Sequence, residues 1–167
     1  YLKHLLGSYD KDKPLYICEG EKDAIVLYSY GYQSVSGTCG AISIPKDENG
    51  DYEVDFIEFW NADIVFVYDN DSAGYKGAEK WAMALKSKWV GHTIKVAQWQ
   101  NKPDKYDVYD AFEKEGEDVG ADLWDAVANA KEIKLPAPSF GGLKFKSGVD
   151  ILKSETAPTF ELIEAFL

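Results

Sequence analysis

Two acidic clusters lie fifty residues apart, and each follows directly on an unbroken apolar run. Leu15-Tyr16-Ile17-Cys18 leads into Glu19-Gly20-Glu21-Lys22-Asp23, and Ile64-Val65-Phe66-Val67-Tyr68 leads into Asp69-Asn70-Asp71-Ser72-Ala73-Gly74. Consecutive β-favouring residues without polar alternation suit strands covered on both faces, as in a parallel α/β sheet. Parallel strands share an edge at their C-terminal ends. Pairing these two runs therefore brings at least three carboxylates together, an arrangement suited to a divalent cation.

The rest of the chain alternates helical and strand patterns. Residues 21–30 read as a helix with Ala24, Ile25, Leu27 and Tyr28 on its apolar side and Gly31 as its stop. Residues 33–36 read as a strand, followed by the loop Gly37-Thr38-Cys39-Gly40-Ala41. Residues 54–60 suggest a short helix. Residues 73–88 form the strongest helical pattern, with Ala78, Trp81, Ala82, Leu85 and Trp89 at helical spacing. A further strand is expected at 94–99, and short helices at 108–114 and 122–130. This order predicts an α/β fold with right-handed crossovers, its central, mostly parallel sheet of about four strands flanked by helices. Residues 1–13 read as an entry segment and 14–135 as the main domain. Pro136, Pro138, Gly141 and Gly142 break any long element, so 136–167 reads as an appendage or linker toward a further domain.

A length of 167 residues suits one core burying roughly 70% of the unfolded surface. The apolar fraction of 46% argues against disorder. A net charge of −11 argues against a general grip on the phosphate backbone, which wants a basic surface. His4 and His92 have no ligand-like neighbours in sequence, Cys18 and Cys39 read as reduced thiols, and no Cys/His zinc spacing exists. No apolar stretch reaches the ~20 residues of a membrane span. No signal peptide is visible, although a chain beginning at Tyr1 reads as a trimmed piece. The expectation is no membrane contact and a cytoplasmic location.

Asp69 and Asp71, two residues apart at a strand end, can reach one cation while Asn70 faces elsewhere. Mg²⁺ needs only one or two carboxylates plus substrate phosphates, so Glu19 is free to complete the shell or act as a general acid or base. Two ions ~4 Å apart would serve both the attacking and the leaving oxygen of a phosphoryl transfer. The alternative is capping: Ser72 or Asp71 starts the long helix, and Asp23 favours its helix through the dipole. Lys22 and Lys76 are the better candidates, over Lys46 and Lys80, for holding a phosphate, against a solvated helix-face role. Gly20 suggests a tight strand-to-helix turn, and Gly74 a close backbone approach. Tyr68 reads as core, whereas Tyr75, Trp99, Tyr106 and Tyr109 read as surface packing or base-stacking groups.

Glu19-Gly20-Glu21, the loop from Ser36 to Ala41, and Asp69-Asn70-Asp71-Ser72-Ala73-Gly74 together resemble the Toprim domain. That family includes bacterial DNA primases, phage and mitochondrial primase-helicases, topoisomerases and small nucleases. The resemblance covers about residues 14–115, and its style is that of the primase-helicases. It implies a Toprim-like, Rossmann-like fold and a catalytic metal site of Glu19, Asp69 and Asp71 using Mg²⁺ or Mn²⁺. Asp107, within Tyr106-Asp107-Val108-Tyr109-Asp110-Ala111-Phe112, joins that site, with Asp110 as its neighbour. The implied function is Mg²⁺-dependent nucleotidyl transfer in DNA replication: primer synthesis on a single-stranded DNA template from nucleotide triphosphates. The setting would be a larger phage or plasmid replication protein with N-terminal primase and C-terminal RecA-like helicase domains. This chain itself holds no zinc module, no basic primase subdomain and no Walker-type loop. Two alternatives share the carboxylate frame: metal-dependent phosphodiester hydrolysis, as in Toprim nucleases, and a non-catalytic interaction module.

Overall fold

A computed structural model of the chain describes residues 1–37, 40–41, 43–113 and 119–136. The two apolar runs become β1 (Leu15–Cys18) and β3 (Ile64–Val67), adjacent and parallel, with Leu15 opposite Ile64 and Cys18 opposite Val67. β2 (Ser34–Ser36) pairs parallel to the other edge of β1, and β4 (Ile94–Val96) pairs parallel to β3. A fifth strand, β5 (Lys131–Glu132), runs antiparallel on β4 and completes the order β2-β1-β3-β4-β5. The expected sheet of about four strands lacks this last one. Both residues of β5 are exposed, so no apolar alternation marks it in the sequence.

Strand alternation divides the sheet's side chains between two cores. Leu15, Ile17, Ile64 and Phe66 face α2 (Ser72–Lys88), whose Trp81, Ala82 and Leu85 are buried against them. Tyr16, Cys18, Val65 and Val67 face α1 (Glu21–Ser29), α3 (Val108–Phe112) and α4 (Ala121–Ala128). Every residue of β1 and β3 is buried, which is why neither run alternates with polar residues.

Local chemistry sets the helix ends. At Gly31, φ is +87°, the Tyr32 N–H donates to Leu27 O and the Gly31 N–H to Tyr28 O. This is a Schellman stop, and it needs a residue at ease in the left-handed region. Gly20 departs from expectation: its backbone is extended (φ −110°, ψ 160°), which any residue adopts, so the turn into α1 does not require glycine. The apolar side of α1 also differs. Asp23, Ala24 and Leu27 are buried, while Ile25 and Tyr28 are about half exposed. The helix expected at 54–60 shrinks to a single 3-10 turn, Asp55–Ile57.

Tyr1–Leu135 form one compact unit. Within it the first residues run along the outer edge of β2. Tyr1 and Ser36 exchange two backbone hydrogen bonds, the Tyr9 hydroxyl donates to Ser34 O, and Gln33 Nε2 donates to Asp10 O. Apart from Pro136, the appendage expected at 136–167 lies outside the described residues, as does Cys39. Among the described residues no helix is long and apolar enough to cross a membrane.

Candidate metal centre

The register of β1 and β3 fixes the site. With Cys18 opposite Val67, Glu19 and Asp69 leave the sheet at the same edge. Carboxylate oxygens of Asp23, Asp69 and Asp107 lie within 4.8 Å of one another. Asp69 follows β3, Asp23 comes from the first turn of α1, and Asp107 begins α3. Asp23 is 5% exposed, and its Oδ1 accepts the Tyr109 N–H at 3.3 Å. Asp107 is held by a capping box: its Oδ1 accepts the Asp110 N–H at 2.8 Å, and Asp110 Oδ2 accepts the Asp107 N–H at 3.2 Å. The second Asp107 oxygen, Oδ2, lies 3.4 Å from Lys22 Nζ, which also sits 3.9 Å from the centre of the Tyr109 ring.

Glu19 packs beside this triad. Its Oε2 is buried and has no hydrogen-bond partner among the described residues. A Cβ on Gly74 would lie 3.2 Å from that oxygen and 2.5 Å from Asp69 O. Gly74 therefore allows the backbone approach expected of it, and α2 starts against the site wall. Asp71 is the N-cap of α2, its Oδ1 accepting from the Ala73 and Gly74 N–H groups at 2.9 and 2.7 Å. The capping alternative holds for Asp71, which lies outside the triad, and not for Ser72, the first helical residue.

So many carboxylates in a confined space cannot all ionise freely. Burial, then the charges of Glu19, Asp23, Asp107 and Asp71, push Asp69 up to about 7. Burial and the Asp107 charge push Asp23 up to about 6, against the pull of the Tyr109 N–H and Lys22. Burial also raises Glu19, with the Asp69 amide pulling it back and Asp71 adding to the rise. An orphaned buried oxygen and protons retained near neutrality, on an all-oxygen donor set, fit a hard divalent cation.

Asp69 and Asp107 thus meet, with Glu19 behind them and Asp71 set at the helix start. Asp23, read from the sequence as a dipole partner, is the third member of the triad. Its signal was its place on the buried stripe of α1, one residue before Ala24 and four before Leu27. Lys22 points at the site, whereas Lys76 is exposed on α2. Trp99 and Tyr106 are not surface groups: they are 5% and 8% exposed and pack on each other edge to face at 5.3 Å.

A mostly parallel sheet of this order, covered by helices on both faces and edged by carboxylates that could hold a divalent cation, defines the class of α/β domain. The Toprim domain model matches residues 13–97, and the chain belongs to the Toprim family. A DNA primase of Campylobacter jejuni is 25% identical over 93 residues, which make up 56% of this chain and 14% of that protein. Among solved structures, the Aquifex aeolicus primase (zinc-binding and RNA polymerase domains) superposes with a TM-score of 0.53 at 18% identity, covering 78% of this chain and 28% of that one. The T7 phage primase domains, seen with the lagging-strand DNA polymerase, an RNA/DNA hybrid and dTTP, superpose with a TM-score of 0.50 at 23% identity. That match covers 75% of this chain and 59% of the other. The chain spans about a seventh of the C. jejuni primase and under a third of the A. aeolicus chain.

Proposed function

We propose that this chain is the Toprim part of a DNA primase or primase-helicase, and that it carries out Mg²⁺- or Mn²⁺-dependent nucleotidyl transfer in primer synthesis. The observation that carries this reading is the meeting of Asp23, Asp69 and Asp107 at the shared edge of β1 and β3. Those three aspartates, with Glu19 and Asp71, would hold the cation. Once bound, the cation supplies charge neutralisation on the triphosphate of the incoming nucleotide. The chain's own residues do the rest. The carboxylates release their retained protons as the cation enters. Glu19, buried and raised in pKa, is placed to carry a proton beside Asp69. Asp107 stays fixed by its capping box with Asp110. Lys22 and Lys76 are the proposed phosphate contacts. Lys22 already lies at the cluster, and Lys76 follows Asp71 on the exposed side of α2.

Single-stranded DNA template and nucleotide triphosphates are the proposed partners, in the cytoplasm. The surplus of acidic residues supports a reading in which accompanying primase and RecA-like helicase domains would grip the template. The test is calorimetric titration of Mg²⁺ and Mn²⁺ into this chain and into its Asp69→Asn/Asp71→Asn variant, followed by template-dependent ribonucleotide incorporation by the protein that contains it. Binding lost in the variant, together with incorporation, supports the reading. Metal-dependent cutting of plain DNA or RNA without incorporation replaces it with a Toprim nuclease. No metal binding leaves an interaction module.

A further inference from the structure

We propose that Asn70, between the two aspartates, is a positioning residue that sets Asp107 in the cluster by clamping the loop from Trp99 to Tyr106. The inference rests on the metal reading above. Asn70 lies next to Asp69, yet every polar group of it bonds away from the carboxylates. Its Nδ2 donates to Lys102 O at 2.9 Å and to Pro103 O at 2.8 Å. Its Oδ1 accepts from the Tyr75 hydroxyl at 3.0 Å. Its backbone N–H donates to Tyr106 O at 2.8 Å, and its carbonyl accepts the Lys105 N–H at 3.1 Å. The Tyr75 hydroxyl in turn accepts the Trp99 N–H at 3.1 Å, so side chain and hydroxyl together hold the loop at Trp99 and at Lys102–Pro103, while the Asn70 backbone holds it at Lys105–Tyr106.

The loop needs such a grip. Asn101 and Lys105 sit at φ +56° and +62°, in the left-handed region that non-glycine residues rarely occupy. Tyr106 immediately precedes Asp107: the Asn70 backbone holds Tyr106 O and Lys105 N whatever the side chain, and the side chain adds Pro103 O, the carbonyl that also accepts the Tyr106 N–H at 3.3 Å, so its loss loosens the residue before the capping box of α3. Asn also suits the position where Asp does not. The two loop carbonyls require a donor, and a carboxylate facing them would be repelled. The loop has further anchors in Trp99 Nε1, which donates to Tyr68 O at 2.8 Å, and in the Tyr106 hydroxyl and Lys102 on Asp122.

The experiment is Mn²⁺ titration of the chain, Asn70→Ala, Asp107→Asn and the double variant, with amide hydrogen exchange on the metal-free proteins. Supporting partners of metal ligands typically set affinity by ~10–100-fold, and Asn70→Ala is expected to weaken Mn²⁺ by ~10-fold or more. The double variant is expected to bind no more weakly than Asp107→Asn alone, a non-additivity that a general loss of stability does not produce. Exchange at the Asp107 and Asp110 amides is expected to quicken in Asn70→Ala. If that variant fails to fold, Tyr75→Phe removes only the bridging hydroxyl and is expected to weaken Mn²⁺ in the same direction. Parent-like affinity in a folded variant, or losses that multiply in the double variant, overturns the proposal. A parent chain that binds no Mn²⁺ refutes the metal reading instead. Exchange then decides the clamp, faster at Asp107 and Asp110 supporting it and unchanged overturning it.

Discussion

Replacing Asp23 with Asn isolates the electrostatic strain in the cluster. Asp23 is 5% exposed, and its pKa rises from 3.8 to about 6, chiefly through burial and the Asp107 charge. The folded state therefore holds a proton that the unfolded state has lost between those two values. Stability accordingly falls as pH rises through that window and stays lower above it. At ~1.4 kcal/mol per pKa unit, the two-unit rise sets a ceiling of about 3 kcal/mol. Asn keeps the Tyr109 N–H acceptor and removes the charge, so Asp23→Asn is expected to stabilise the metal-free chain by about 1–3 kcal/mol at pH 8. The gain in Tm is ~3–10 °C for a chain of this size. Below pH ~4 both forms are neutral and the gain vanishes. With saturating Mn²⁺ the order reverses, because only the parent keeps the full triad to bind the ion. Melting curves from pH 3.5 to 8, with and without Mn²⁺, measure all of this. A variant less stable than its parent at pH 8, by the same amount at every pH, would refute the reasoning.

Mn²⁺ affinity is expected to climb steeply from pH 5.5 to 7.5 and then flatten, as Asp23 and Asp69 release the protons retained up to about 6 and about 7; calorimetry in buffers of different ionisation enthalpy counts those protons. Gly77→Ala is expected to destabilise by about 1–3 kcal/mol or more in urea titration, since a Cβ there would sit 1.7 Å from Ala41 O and 2.5 Å from Ala41 C, backbone that cannot swing aside as a side chain can. Phe66→Ala, in the fully buried centre of β3, is expected to destabilise by about 3–5 kcal/mol with no change in the pH dependence of melting.

The sheet was readable because β1 and β3 are buried on both faces and so carry unbroken apolar runs. α2 was readable because its stripe faces a single core. β5 left no trace, since two exposed residues on an edge strand pair through backbone alone. In the site, Asp69 and Asp107 stood out by motif, whereas Asp23 did not. A buried acid on a helix stripe looks like a dipole partner until the third dimension shows two further carboxylates against it. The contacts of the loop after β3 were hidden for the same reason. Nothing in the spacing of Asn70 and Lys102 says that they touch. Gly20 misled in the other direction, a glycine between acids whose backbone turned out ordinary.

The triad draws one residue from each of three segments separated by about forty residues, and this fixes when the site comes into being. Asp23, Asp69 and Asp107 meet only after β1 and β3 have paired and α3 has docked against α1. A half-folded chain presents its acids singly to water and offers a cation nothing. A cation held by the triad therefore acts as a late latch, with little influence on the chain's search for its fold. Such a latch lengthens the lifetime of the finished domain, slowing its unfolding while leaving the rate of folding where the bare chain sets it.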